Sequence, residues 1–183
     1  MISFQEAFEI VMGNCIATDT EFVSFADSLN RVLAEDVKAD RDIPPFNRAA
    51  VDGYACRKSD LEKTLTVKGL IKAGEAPLFK IDEGECSKIM TGAIVPEGAD
   101  FVFMVEDSQE IEPGKVKYTG KAPKNNISFQ GEDIRQGDIV LKKGKIIKPQ
   151  DIAVLASVGH VTVEVSCKPL VGVISTGDEL VEP

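Results

Sequence analysis

The residues of this chain best suited to chemistry are carboxylates and hydroxyls set beside turns. Asp52 closes a run, Asp42-Ile-Pro-Pro-Phe-Asn-Arg-Ala-Ala-Val-Asp-Gly-Tyr-Ala55, whose two prolines fix φ and remove amide donors. Residues 42–46 therefore do not sit inside a helix. Asp52-Gly53 then offers a turn with a carboxylate at its first position and a glycine where φ can be positive. A stiff loop of this kind holds one charge in a fixed place. Its carboxylate can bind a divalent cation, accept a proton or position an oxyanion donor through water. Read alone, it can equally be a turn aspartate capping its own backbone amides. Thr91-Gly92 joins a hydroxyl to a flexible glycine amide, which suits either an oxyanion in a nest-like turn or the plain end of a strand. Glu132 and Asp133 are adjacent, so in extended chain they point to opposite faces and only one of them faces a site. Asp178 and Glu179 follow an apolar run, at the carboxyl end of a strand where α/β sheets gather ligands. They can also be solvated loop acids, with Asp178 the N-cap of a following helix.

Composition narrows the field. A formal charge of −9 argues against a general nucleic-acid binder, which needs a basic face, but leaves open a small anionic ligand held by local amides and lysines. The lysines at 72, 115, 117, 121 and 124 read as solvated faces. The four cysteines at 15, 56, 86 and 167 form no CxxC pair and His160 is the single histidine, so no structural zinc site is expected. Reduced thiols filling cores in a cytoplasmic protein are the expectation. No apolar run approaches a membrane span, and residues 1–6 lack the regions of a signal peptide.

The elements that must position these groups follow from patterning. Ser3-Phe4-Gln5-Glu6 is a capping box, and Phe4, Phe8, Val11 and Cys15 recur at helical spacing behind it. A second helix is predicted from Ser24, with Ala26, Leu29, Val32 and Leu33 on its apolar face. Between about 51 and 127 the pattern changes to short strands, at 64–67, 86–90, 101–105 and 116–119, divided by glycines and prolines. Residues 137–147 read as a hairpin turning at 142–145. Pro149 starts a helix with Ile152, Leu155, Ala156 and Val158 buried, and Gly159 ends it in a left-handed conformation. Residues 160–166 alternate strictly, with Val161, Val163 and Val165 on one face. The near-continuous apolar run 170–175 predicts a strand buried on both sides of a parallel sheet. Such a strand needs a crossover and a partner, so the chain reads as the N-terminal part of a longer protein. The fold class expected is α+β: a discontinuous helix/hairpin subdomain (1–50 and 128–168), an inserted β-rich subdomain (51–127), and the start of an α/β domain (169–183).

Four segments in order, the 42–55 stretch, Met90-Thr-Gly-Ala-Ile-Val-Pro-Glu-Gly98, Gly131-Glu-Asp-Ile134 and Ser175-Thr-Gly-Asp-Glu-Leu180, resemble the signatures of one family. These are the molybdopterin molybdenumtransferases, the bacterial MoeA proteins and the related E domain of gephyrin. The resemblance implies the same discontinuous layout in an elongated homodimer, with the last segment opening the molybdopterin-binding domain. It implies insertion of molybdate into adenylylated molybdopterin with release of AMP, aided by Mg²⁺. Asp52, Thr91 and Glu179 are the implied catalytic residues, Asp52 and Glu179 also the metal ligands. Asp133, Gly92 and Asp178 are implied to bind substrate, while Pro96 and Gly98 shape their loop. The fragment alone is expected to be inactive. As partners the resemblance implies a second subunit, the molybdopterin adenylyltransferase and the molybdoenzyme apoproteins. One departure stands out: many family members carry a run of arginines where this chain has Ile127-Ser128-Phe129-Gln130, for which Arg135 is a partial substitute. A gephyrin-like scaffold is the competing reading, since fold does not guarantee catalysis. The 175–180 motif alone also occurs in competence-damage proteins, but the 42–55 and 90–98 segments belong with MoeA.

Overall fold

The computed structural model describes residues 2–15, 17–174, 177 and 179. In chain order it contains helix α1 (Phe4–Gly13) and strands β1 (Thr20–Ser24), β2 (Val37–Lys38), β3 (Arg48–Ala49) and β4 (Gly53–Cys56). Strands β5 (Thr64–Ile71), β6 (Glu85–Ile89), β7 (Phe101–Met104), β8 (Ser108–Glu112), β9 (Lys115–Tyr118) and β10 (Ile127–Ser128) follow. Strand β11 (Ile139–Leu141), helix α2 (Pro149–Ser157) and strand β12 (Thr162–Ser166) complete it. The fold is mixed α+β and mostly strand. Contacts divide the chain into two compact units, one from residues up to Lys38 together with those from Ile139, the other Ala39–Asp138.

In the first unit the capping box forms as the spacing predicts. Ser3 Oγ accepts from the Glu6 amide at 3.2 Å, and Glu6 Oε2 accepts from the Ser3 amide at 2.7 Å. None of the residues of α1 is buried. Strands β1 and β12 pair antiparallel, Thr20 opposite Ser166 and Ser24 opposite Thr162. Val163 and Val165 are fully buried, whereas Val161 precedes the strand and is exposed. In α2, Leu155 is buried, with Val158 at its C-cap; Ile152 is half-buried and Ala156 faces solvent, contrary to the predicted stripe. Gly159 takes φ +78° as expected.

Three expectations for this unit are corrected. The helix predicted from Ser24 is a single 3-10 turn, Phe25–Asp27. Beyond it the backbone pairs at long range, the Leu33 amide donating to Lys145 O and the Ala34 amide to Glu164 O, both at 2.9 Å. Leu33 faces the core because of those partners and not because of helical period. The 137–147 segment does turn at Lys142 and Lys145, but its arms do not pair with each other. Strand β11 lies against β2 (Ile139 opposite Lys38), and the Ile147 amide donates to Arg31 O at 2.9 Å. Residues 170–174 form no strand and are exposed, because a strand exists only in a pairing and none of the described residues pairs with them.

The second unit is built on a six-stranded sheet in the order β7-β4-β6-β5-β9-β8, in which only β5 and β6 run parallel. The four predicted strands are present, three with boundaries within one residue and the first, β5, running four residues further than predicted, to Ile71. Strands β4 and β8 are additions. One face packs Ala55, Ile71, Ile89 and Val102 with Ala49, Ala93 and Ile127. Cys56, Leu65, Cys86, Phe101, Phe103 and Val116 make a second core. There Phe103 lies between Tyr54 and Tyr118, with ring centroids 5.5 and 5.3 Å away. Cys56 and Cys86 fill this core, and burial pushes both thiols up to about 12. Cys15 is exposed and Cys167 half-buried, so those two are not core fillers. Among the described residues no helix is long and apolar enough to cross a membrane.

Candidate functional site

Asp52 immediately precedes β4, which is hydrogen-bonded on both sides, to β6 and to β7. Gly53 pairs with Ile89 of β6 and with Met104 of β7. The chain leaving β6 therefore emerges beside Asp52. Gly53 is required, but not for the turn geometry predicted: its φ is not positive. A Cβ there would stand 1.9 Å from Phe103 O, so only glycine lets β4 lie this close to β7.

Thr91, just past β6, meets Asp52. Its amide and its hydroxyl both donate to Asp52 Oδ1 at 2.7 Å. The amide bond, then the hydroxyl bond, hold the carboxyl below the ordinary carboxylate range; they outweigh partial desolvation, and Lys88 adds a smaller pull. Asp52 is thus an exposed, firmly ionised carboxylate with both bonds on one oxygen, leaving Oδ2 turned to other uses. Gly92 adopts φ +81°, and its amide donates to Ala49 O at 2.8 Å. That amide serves the loop's own backbone and is not free for an oxyanion.

A short ladder ties this corner to the 129–136 loop. Ala49 donates to Ala93 O at 3.0 Å, while Arg48 and Ala49 of β3 pair with Ser128 and Ile127 of β10. In that loop Glu132 Oε2 accepts from the Phe129 amide at 2.9 Å, closing a local turn. Asp133 donates its amide to Ile43 O at 3.0 Å, and the residue is exposed. The residue missed from sequence is Asp42. Its Oδ2 accepts from Gln130 Nε2 at 2.8 Å and its Oδ1 from the Gln136 amide at 2.9 Å, with the Gln130 amide held on Asn47 Oδ1 at 2.9 Å. The Gln136 amide, then the Gln130 side chain, lower the Asp42 carboxyl, with a smaller pull from Arg135. The only sequence signal was an aspartate ahead of two prolines, and the Ile43–Pro44 bond is cis.

Glu179 belongs to the other unit, exposed in a turn, and Asp178 lies outside the described residues. Among the described residues no group of three or more His, Cys, Asp or Glu is placed to hold a metal ion.

A strand-rich α+β scaffold that presents an amide-held aspartate at the end of its sheet defines the class. The chain belongs to the MoeA family: residues 2–159 match the model described as MoeA N-terminal region (domain I and II). It is 40% identical over 188 residues to a molybdopterin molybdenumtransferase of Staphylococcus epidermidis, a match covering 99% of this chain and 45% of that protein. A molybdopterin molybdenumtransferase of Haemophilus influenzae is likewise 40% identical, over 168 residues, covering 90% of this chain and 42% of the relative. Among solved structures, a molybdopterin biosynthesis MoeA protein from Pyrococcus horikoshii OT3 superposes with a TM-score of 0.84 at 38% identity, covering 92% of this chain and 47% of that one. The chain spans about 45% of the length of the first curated relative it matches.

Proposed function

We propose that this chain supplies the acidic side of a molybdenumtransferase site, acting in the insertion of molybdate into adenylylated molybdopterin with release of AMP. The observation that carries the reading is the Asp52–Thr91 pair, two bonds of 2.7 Å from residues 39 positions apart that the family motifs single out. A carboxylate kept ionised by an amide and a hydroxyl retains its charge for a hard cation. Mg²⁺ takes one or two protein carboxylates and fills its remaining positions with water and substrate phosphate oxygens. Asp52 Oδ2 fits such a sparse donor set; the family resemblance makes Glu179 a metal ligand as well. Bound there, Mg²⁺ would supply charge stabilisation at the phosphoanhydride. Asp133, on the 129–136 loop, and Asp178 would contribute to substrate binding. The chain works as part of a cytoplasmic homodimer, and by itself does not turn over. Its substrate arrives from the adenylyltransferase and its product passes to molybdoenzyme apoproteins.

The test is AMP release in a chimaera in which this chain replaces the corresponding segment of the Staphylococcus epidermidis relative. Release that requires molybdate and collapses in Asp52→Asn is the expected result. Equal release in the two proteins returns Asp52 to a purely turn-capping role. A folded chimaera inactive with both molybdate and tungstate would move the assignment to the scaffold reading.

A further inference from the structure

Arg48 is a cation with no internal use. The chain has five arginines. Arg31 is paired with Glu21 and Arg41 with Asp40, while Arg57 lies in the field of Asp60 and Arg135 in that of Asp42. Among the described residues Arg48 has no ion pair and its guanidinium no hydrogen bond. The acids of its own unit that flank it in the motif are already satisfied by amide and hydroxyl donors: Asp42 by Gln130 and Gln136, Asp52 by Thr91. Among the described residues Arg57 and Arg135 also form no ion pair, but each lies in the field of a named acid, and Arg48 lies in the field of none.

The backbone fixes where Arg48 stands. Residues 47–49 run between two other segments, bridged at Arg48 to Ile94 on one side and paired with Ser128 on the other. The Val95 amide donates to Asn47 O at 2.9 Å, and the Ala50 amide to Asn126 O at 2.8 Å. Cross-strand partners share a face. Ala49 and Ile127 are both buried in the core, which leaves Arg48, Ile94 and Ser128 on the outer face. Arg48 is exposed there. It is four residues from Asp52, a chain reach of at most about 14 Å. A guanidinium on a paired strand is a planar, permanently charged fork that matches two oxygens of a phosphoryl group.

We propose that Arg48 binds a phosphoryl group of the substrate, anchoring the phosphoanhydride within chain reach of Asp52. The proposal rests on the molybdenumtransferase reading for the identity of that anhydride, and not for the anion binding itself.

The test uses the chain labelled with ¹⁵N and follows the five arginine Nε–Hε resonances, that of Arg48 being identified by its loss in Arg48→Lys. Inorganic pyrophosphate, ADP and orthophosphate are titrated separately at fixed ionic strength. A saturable shift confined to the Arg48 resonance is expected, stronger with the two anhydrides than with orthophosphate. Arg48→Gln should weaken pyrophosphate binding, followed on the backbone amides of residues 48, 94 and 128, by about tenfold or more, as loss of a charge-assisted hydrogen bond implies. Arg48→Lys should fall between. Shifts spread evenly over all five arginines, or equal affinity in Arg48→Gln, overturn the proposal. Preference for orthophosphate over the anhydrides overturns the substrate assignment. A chimaera that releases AMP while Arg48 ignores pyrophosphate sinks the anchor and leaves the transfer reading standing. Binding at Arg48 with an inactive chimaera does the reverse.

Discussion

Adding one methyl group at Gly53 should break the sheet beside Asp52. The Cβ of Gly53→Ala would lie 1.9 Å from Phe103 O and 2.9 Å from its carbon. Ordinary C···O contact begins near 3.3 Å, so the strands must part by about 1.4 Å against a normal spacing of about 4.8 Å. The obstruction is backbone, not the tip of a mobile side chain, so it cannot turn aside. Four residue pairs from Gly53–Met104 to Cys56–Phe101 hold β4 to β7, and all are strained by the shift. Overpacking usually costs about 1–3 kcal/mol, and a fixed carbonyl places this case at about 3 kcal/mol or above. The gain from stiffening the unfolded chain, about 0.4–1 kcal/mol, does not offset that. Both tyrosines, Tyr54 and Tyr118, lie in the Ala39–Asp138 unit and there is no tryptophan, so intrinsic fluorescence reports this unit alone. With a urea slope of about 2 kcal/mol per molar, the fluorescence midpoint should fall by roughly 1.5 M. The Asp52 carboxyl should also move up toward its ordinary value as Thr91 loses its grip. A midpoint equal to or above wild type would refute the close-approach argument outright.

Thr91→Val keeps the amide bond to Asp52 and removes the hydroxyl bond, so the Asp52 carboxyl should titrate higher than in wild type, followed by ¹³Cγ NMR. Because the folded-state value is depressed, the stability it confers is present above the unfolded value near 3.8 and disappears as pH falls through the folded value. The two proteins should therefore differ in stability at neutral pH and converge in acid. Asp60 is 1% exposed, bonded to Lys63 at 2.8 Å and to the Gly84 amide at 3.0 Å; Lys63, then Gly84, lower its carboxyl. Asp60→Asn should cost about 1–3 kcal/mol at pH 7, with the difference shrinking below pH 4 by the same sign of linkage. In α2, Leu155→Ala should cost about 2–5 kcal/mol by far-UV circular dichroism, whereas Ala156→Lys should stay within about 0.5 kcal/mol.

Local devices were legible in the sequence and distant pairings were not. The Ser3–Glu6 capping box and the left-handed Gly159 are decided within a few residues, and both are present. Strands bounded by glycine and proline were found for the same reason. The 24–33 segment failed because its apolar spacing fits a helix, while Leu33 and Ala34 are claimed by carbonyls more than 100 residues away. Strand β8, Ser-Gln-Glu-Ile-Glu, is a polar edge strand with no alternation of burial to reveal it. Strand β4 was hidden inside a stretch read as loop, and the need for Gly53 was assigned to a turn when it arises from a neighbouring strand. Asp52 and Thr91 were named from motifs, yet nothing local foretells that they touch.

The manner in which Asp52 is held bears on what it can do. Pairing with lysine or arginine would lower its carboxyl equally well, but would neutralise the charge a cation needs. Here the amide and hydroxyl of Thr91 do most of the work and Lys88 the least, so the carboxylate stays anionic toward solvent. Asp42 repeats the device with Gln136 and Gln130 ahead of Arg135. The consequence falls on Arg48, which these acids leave unclaimed. A loop system that satisfies its carboxylates with neutral donors keeps both signs of charge available within one segment, residues 42–52. That is the requirement for a substrate that brings phosphates to the cation and, through a metal, to the acid. Replacing Thr91 by lysine would keep Asp52 ionised and yet remove this property. Cation binding at Asp52, read by ¹³Cγ shifts on Mg²⁺ titration, should then be lost in Thr91→Lys while surviving, weakened, in Thr91→Val. Equal Mg²⁺ response in the two variants would show that neutral donation at this position is incidental.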